Sequence, residues 1–186
     1  MKKTIALLGQ PNSGKSTLFN GLTGSHQHVG NWPGKTVEKM EGSFTYENEE
    51  YTLVDLPGTY SLSANSDEEI ITRDYIADGN ADLVCILADA SQLERSLFML
   101  TDFIGLQVPA VLILNLMDVA TKLGKEINPA AMEEQLGIPV IPFVAADKSQ
   151  YTTLLKTLKK ALAAKKLLHT DYYKRYFSSE TQLPYF

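Results

Sequence analysis

The chain has 186 residues, is 44% apolar and carries 17 Lys and Arg against 22 Asp and Glu, a net charge of −5. That apolar content suffices for the core of one domain, and the acidic balance argues against a surface built to neutralise a nucleic-acid backbone. One cysteine, Cys85, excludes an internal disulfide and a cysteine metal cluster, and its apolar setting suggests a buried strand thiol in a reducing, cytoplasmic compartment.

Met1-Lys2-Lys3-Thr4 runs directly into Ile5-Ala6-Leu7-Leu8 without the long apolar region or cleavage site of a signal peptide. The most apolar runs, 83–87 and 108–117, are shorter than the ~20 residues of a membrane-spanning helix, so the chain as given reads as soluble. Next comes Gly9-Gln10-Pro11-Asn12-Ser13-Gly14-Lys15-Ser16-Thr17, followed by helical spacing at Leu18, Phe19 and Leu22. Strand, loop and helix are the context that the phosphate-loop pattern G-x-x-x-x-G-K-[ST] requires. Backbone N–H groups at the helix start can wrap phosphates, Lys15 can reach the terminal ones, and the Ser16 hydroxyl can ligate Mg²⁺.

Residues 24–35, rich in Gly, His, Asn and Pro, show no apolar period and read as a loop. Met40, Gly42, Phe44 and Tyr46 alternate with polar neighbours as a half-exposed strand does, residues 47–50 read as a hairpin turn, and 51–55 as its partner strand. Ser66 and Glu69 have capping-box spacing before a helix through Ile70, Ile71 and Tyr75 that Gly79 and Asn80 stop. A buried strand, 81–89, precedes a helix capped by Ser91 and Glu94 with the stripe Leu93, Leu97, Leu100 and Ile104. After Pro109 come a strand over 110–116, a helix bounded by Asn128-Pro129 and Gly137, a strand over 138–144 and a helix from about Ser149. The reading is an α/β fold: a doubly wound, mostly parallel six-stranded sheet with one antiparallel edge strand. Its ligand belongs at the carboxyl ends of the strands.

A phosphate loop alone permits ATP or GTP. Asp55-Leu56-Pro57-Gly58 ends a strand where an aspartate can hold Mg²⁺ through water and a glycine N–H can meet a γ-phosphate. Thr36, in the long loop after the first helix, can complete the Mg²⁺ shell only when γ-phosphate is present, which would make that loop a switch. Asn115-Leu116-Met117-Asp118 resembles the base-reading N-K-x-D motif of GTPases, in which an aspartate accepts from guanine N1–H and its exocyclic amine. Leu116 departs from the usual lysine. Val144-Ala145-Ala146, after the last strand, falls where a backbone N–H would face guanine O6, with Val144 in place of the common serine.

Together these residues resemble the TRAFAC-class GTPases, and most closely the cytosolic G domain of the bacterial ferrous iron transport protein B family. The likeness rests on residues 9–20, on Val29-Gly30-Asn31-Trp32-Pro33-Gly34-Lys35-Thr36-Val37-Glu38-Lys39 and on residues 55–62, in a stretch from Ile5 to Lys165. It implies a Ras-like P-loop GTPase domain over 1–165 that binds GTP and GDP, with Gly34, Lys35 and Thr36 joining the nucleotide site. Residues 166–186 would be a tail that starts a following helical domain. The resemblance further implies a membrane permease partner for ferrous iron uptake, at the cytoplasmic face of the inner membrane. Thr59 stands where Ras-like enzymes carry a water-orienting glutamine. In related GTPases an asparagine at the Asn12 position helps bind K⁺ beside the phosphates, and here carbonyls near Gly30 and Trp32 would complete its shell. Catalysis would thus rest on Asn12, Lys15, Thr36 and Gly58, with Mg²⁺ and K⁺ as cofactors.

Other readings stay open. A GTP-dependent switch with negligible turnover would carry the same motifs. A ribosome-assembly GTPase would bring a basic extension, and a nucleotide kinase lid arginines, yet Arg73, Arg95 and Arg175 are the only arginines. His26 and His28 are loop histidines without a nearby thiol or carboxylate. Trp32 either packs within the switch loop or centres an exposed apolar patch that docks a second subunit, giving a homo-oligomer.

Overall fold

Runs such as Ile5-Ala6-Leu7-Leu8 are apolar at consecutive positions, so a strand made of them must be covered on both faces. The structure, a computed structural model, describes residues 1–169 and meets that demand. Strands β1 (Lys3–Gly9), β2 (Gln27–Asn31), β3 (Glu38–Tyr46), β4 (Glu49–Asp55), β5 (Leu83–Asp89), β6 (Ala110–Asn115) and β7 (Val140–Pro142) form one sheet ordered β2-β3-β4-β1-β5-β6-β7. Helices α1 (Lys15–Thr23) and α6 (Tyr151–Ala164) bury Leu18, Phe19, Leu154 and Leu158 against Ile5, Leu7, Cys85 and Ile113. Helices α2 (Asp67–Ala77), α3 (Leu93–Ile104), α4 (Met117–Lys122) and α5 (Pro129–Leu136) cover the opposite face, where Ala6, Leu8, Ile86 and Leu112 point. Odd and even residues of one strand thus serve two cores. Cys85 is fully buried there, and burial pushes its thiol pKa up, which keeps it protonated.

The sheet has seven strands where the sequence suggests six. The added one, β2, lies inside the stretch that reads as a loop, because its side chains carry no apolar alternation: His28 and Val29 are exposed. Backbone pairing with β3, Gln27 opposite Gly42 through Asn31 opposite Glu38, makes it a strand. Only β3 runs against the other strands, and it lies one place in from the edge rather than at it. The β3–β4 turn is tighter than four residues: Tyr46 pairs with Glu49 across Glu47 and Asn48, both at positive φ (49° and 64°), as a two-residue hairpin turn requires.

Helix boundaries follow local capping chemistry. Ser66 Oγ accepts from Glu69 N–H at 3.2 Å, while the Glu69 carboxylate accepts from Asn65 N–H at 2.9 Å. Ser91 does not cap α3: a 3₁₀ turn, Ala90–Gln92, intervenes, and Asp89 caps it by accepting from Ser91 N–H at 2.8 Å. Asn128 accepts from Ala131 N–H at 3.1 Å, Pro129 opens α5, and Gly137 at φ 76° ends it. The chain beyond α6 stays on the domain: Ala110 N–H donates to Lys166 C=O at 3.1 Å, Leu168 is buried, and His169 N–H donates to Leu136 C=O at 2.8 Å. The rest of the tail read from sequence, 170–186, lies outside the described residues.

Trp32 is 7% exposed and meets Tyr75 of α2 edge to face, ring centroids 5.5 Å apart. The exposed patch that would dock a second subunit is therefore not formed by Trp32; the indole packs inward. Burial, with smaller contributions from the charges of Glu41 and Asp82, pushes the Tyr75 phenol up to about 12. A pKa raised on folding contributes stability below the unfolded value of about 10, and that contribution is lost as pH rises through the folded value. Urea unfolding of the wild type should therefore lose stability between pH 10 and 12 more steeply than that of Tyr75→Phe; parallel curves would show that Tyr75 ionises freely in the fold.

Candidate nucleotide-binding site

Strands β1, β4 and β6 end in Gly9, Asp55 and Asn115, and the loops leaving those ends converge on one cleft of about 730 Å³. Its lining comes from the phosphate loop, from 55–58, from Asn115, Leu116 and Asp118, and from Val144, Ala145 and Ala146.

The phosphate loop turns at Asn12 (φ 67°) and enters α1 through Gly14 at φ 96°. Glycine is needed there twice over: the backbone is left-handed, and a Cβ would lie 1.9 Å from Asn115 Nδ2. Lys15, 8% exposed, lies on the floor of the cleft. Its Nζ donates to Asp55 Oδ1 at 2.7 Å and to Leu56 C=O at 2.9 Å, so the buried ammonium is paired and hydrogen-bonded, as burial demands. Ser16 and Thr17 line the cleft, whereas Gly9 and Ser13 do not, and the buried Ser13 Oγ has no partner among the described residues. Gln10 turns its amide to Arg95 C=O at 2.6 Å.

The segment after β4 is tied to β1, with Leu56 N–H donating to Leu7 C=O and Thr59 N–H to Gly9 C=O, both at 3.1 Å. Gly58 consequently sits so close to Pro11 that a Cβ would come within 3.3 Å of it. Thr59 is 3% exposed and does not line the cleft. The residue at the glutamine position of Ras-like enzymes therefore offers no side chain to a water there.

On the opposite side, Asn115 is 1% exposed. Its Nδ2 donates to Ser13 C=O at 3.0 Å and its Oδ1 accepts from Ala145 N–H at 2.9 Å, so one amide joins the phosphate loop to the 144–146 loop. Leu116, at φ 61°, and Asp118 face the cleft, whereas Met117 packs against the core. Val144 N–H donates to Gln150 Oε1 at 2.9 Å. Of the three N–H groups in 144–146, that of Ala146 alone has no partner among the described residues.

The structure does not bring 30–36 to this cleft. Gly30 pairs with Lys39 within the sheet. Trp32 N–H donates to Val37 C=O at 2.9 Å and its C=O accepts from Lys35 N–H at 3.0 Å, closing a tight loop on the buried indole. Lys35 is drawn to Asp67 at 2.9 Å, while Gly34 and Thr36 are exposed and outside the lining. Burial of Trp32 holds the segment away. Two lining residues that the sequence did not single out are Glu38 and Met40, brought across the mouth by the β3–β4 pairing. Strand alternation faces Met40 inward, but only the sheet order shows what it faces.

The Ser16 hydroxyl and Asp55 carboxylate are hard oxygen donors within one cleft and fit Mg²⁺. Asn12 brings a side-chain oxygen to the rim, but the Gly30 and Trp32 carbonyls are not beside it. His26 and His28 are exposed, and among the described residues no group of three or more His, Cys, Asp or Glu is arranged to hold a metal ion.

A family model described as ferrous iron transport protein B matches residues 3–158. The chain is 51% identical over 150 residues to the Fe(2+) transporter FeoB of Escherichia coli (strain K12), covering 78% of this chain and 19% of that protein. It is 49% identical over 150 residues to the Salmonella typhimurium protein of the same name, with the same coverage. The chain thus spans less than a fifth of the length of these relatives. Among solved structures, the cytosolic domain of the T. maritima FeoB iron transporter in a GDP form superposes with a TM-score of 0.85 at 40% identity, covering 91% of this chain and 66% of that one. The isolated G domain of the T. maritima protein matches with a TM-score of 0.76 at 41% identity, covering 88% of this chain and 98% of that one.

Asn115→Ala would leave the Ser13 carbonyl and the Ala145 N–H unpaired in the interior. It should lower the unfolding free energy by about 2–4 kcal/mol in urea titrations. A loss below about 0.5 kcal/mol would mean that water replaces the amide and the bridge is not structural.

Proposed function

The chain belongs to the ferrous iron transport protein B family, and from that premise we propose that it binds guanine nucleotide in the cleft, hydrolyses GTP, and so regulates or drives ferrous iron uptake through a membrane permease outside this chain. The observation that carries this reading is the convergence of the Lys15, Asp55 and Asn115 loops on one cleft, with the Asn115 amide joining the phosphate side to the base side. The T. maritima relative is known in GDP and GMPPNP forms, and the same ligands suit this cleft.

In this reading the phosphates lie on the N–H groups at the start of α1, where the helix dipole favours negative charge. Lys15 exchanges its Asp55 partner for the β- and γ-phosphates, which frees the carboxylate. Ser16 and Asp55, with Thr36 if the 32–37 loop closes, would hold Mg²⁺, which would supply positive charge against the phosphate oxygens. Gly58 N–H meets the γ-phosphate. Asp118 accepts from guanine N1–H and the 2-amino group, while Ala146 N–H donates to O6, a pattern that adenine cannot satisfy. Attack of water on the γ-phosphorus breaks its bond to the bridging oxygen and leaves GDP and phosphate. Because Thr59 is turned inward, Asn12 would serve the transition state instead as a ligand of K⁺, which would supply positive charge there.

GTP turnover should be faster in KCl than in NaCl at equal ionic strength with excess Mg²⁺, and Asn12→Ala should bring the ratio of the two rates close to one. Near-zero turnover in both salts with nucleotide bound would replace hydrolysis by a GTP-dependent switch acting through a partner. Leu116 lines the cleft but supplies no cation to brace the phosphate loop. Stopped-flow GDP release should therefore slow several-fold in Leu116→Lys, by analogy with an exposed to half-buried ion pair of about 1 kcal/mol. An unchanged rate would remove Leu116 from the explanation of nucleotide lifetime.

A further inference from the structure

The 144–146 loop follows β7, a three-residue strand with a single neighbour, β6, so the sheet alone holds it weakly. One backbone bond, Asp147 N–H to Val144 C=O at 2.9 Å, turns it, and side chains hold the rest. Val144 N–H is taken by Gln150, Ala145 N–H by Asn115, and the Ala145 carbonyl accepts from Tyr151 Oη at 2.7 Å. Tyr151, the first residue of α6, is 8% exposed and stands edge-on to Phe143, ring centroids 5.3 Å apart. Its hydroxyl also abuts α1: a Cβ at Gly21 would lie 2.2 Å from it.

A phenylalanine would fill the same volume against Phe143, so packing explains the ring but not the hydroxyl. The hydroxyl joins three things: the carbonyl between the two alanines, the start of α6, and the helix that the phosphate loop opens. Clamping both polar groups of Ala145 also leaves the next N–H, that of Ala146, uncommitted at the wall of the cleft. We propose that Tyr151 is a positioning residue for guanine recognition: by holding the Ala145 carbonyl it aims the Ala146 N–H at guanine O6 and prolongs the lifetime of bound nucleotide. This rests on the guanine-nucleotide reading above. Burial raises the Tyr151 pKa, which keeps the phenol a donor through neutral pH.

The test uses the full chain and Tyr151→Phe, with GDP and 6-thio-GDP, in which a weak sulfur acceptor replaces O6. Loss of one hydrogen bond should speed GDP release about fivefold. The penalty for exchanging GDP for 6-thio-GDP should also shrink in the variant, because the O6 contact is already impaired. Equal release rates in the two proteins would overturn the proposal. So would a uniform fall in affinity for both ligands, with the wild-type ratio kept, since that marks a merely structural tyrosine. Wild-type chain that binds no GDP at all would overturn the nucleotide reading itself, and this proposal with it. Thermal unfolding of both proteins without nucleotide checks that the variant is folded.

Discussion

The arrangement depends on one buried amide. Asn115 lies 102 residues from Ser13 in the chain and 30 from Ala145, yet it bonds both, so the two loops that would hold opposite ends of a nucleotide are placed by a single side chain. The cost appears elsewhere in the sequence. Gly14 must be glycine because the amide occupies the space of its Cβ, and β6 must end at Asn115, in register with Asp89 of β5, to deliver the amide there. An unpaired amide in the same place would cost more than it contributes, which is why such bridges occur fully satisfied or not at all.

Around that bridge the charged groups are in a different balance. Lys15 and Asp55 neutralise each other at 2.7 Å with only 9% and 10% of their side chains exposed, a pairing of small net benefit because both ions are largely desolvated. A polyanion can compete for the lysine on favourable terms. The 32–37 loop is in the opposite situation. Burial of a tryptophan is among the larger single apolar contributions, a few kcal/mol by its area, and the indole packs against Tyr75 while the Lys39 ammonium lies 4.8 Å from its ring centroid. Bringing Thr36 to the cleft therefore requires either release of Trp32 or a hinge in the residues beyond it.

Legibility in the sequence followed locality. The phosphate loop was readable because strand, glycines, lysine and helix are contiguous, and the two-faced sheet because β5 and β6 are apolar at nearly every position and β1 at four in succession. The strand β2 was not, since an edge strand with exposed side chains has no buried face to leave a period. Trp32 was ambiguous for a related reason: its partner Tyr75 is 43 positions away, and nothing near the indole in sequence shows which way it turns. Asn115 could be read as a base-motif residue but not as a bridge, because its partners come from other strand ends. Nothing in the sequence around Tyr151 marks its hydroxyl as a clamp, because the carbonyl it holds is presented only once the loop before α6 has folded back. Glu38 and Met40 reach the cleft only through the order of strands, which no local pattern encodes. Ser91 lost its capping role to Asp89 because an aspartate at a strand end already reaches the first free N–H.

The exposed pairing of β2 with β3 carries a mechanical consequence. A strand without an apolar face takes its register from the connection to its partner rather than from packing. Here that connection is short: residues 32–37 join β2 to β3, closed by Trp32 N–H on Val37 C=O. The buried indole therefore anchors the register of the whole outer hairpin as well as its own loop, and a disturbance at that one ring would reach every rung from Asn31 back to Gln27.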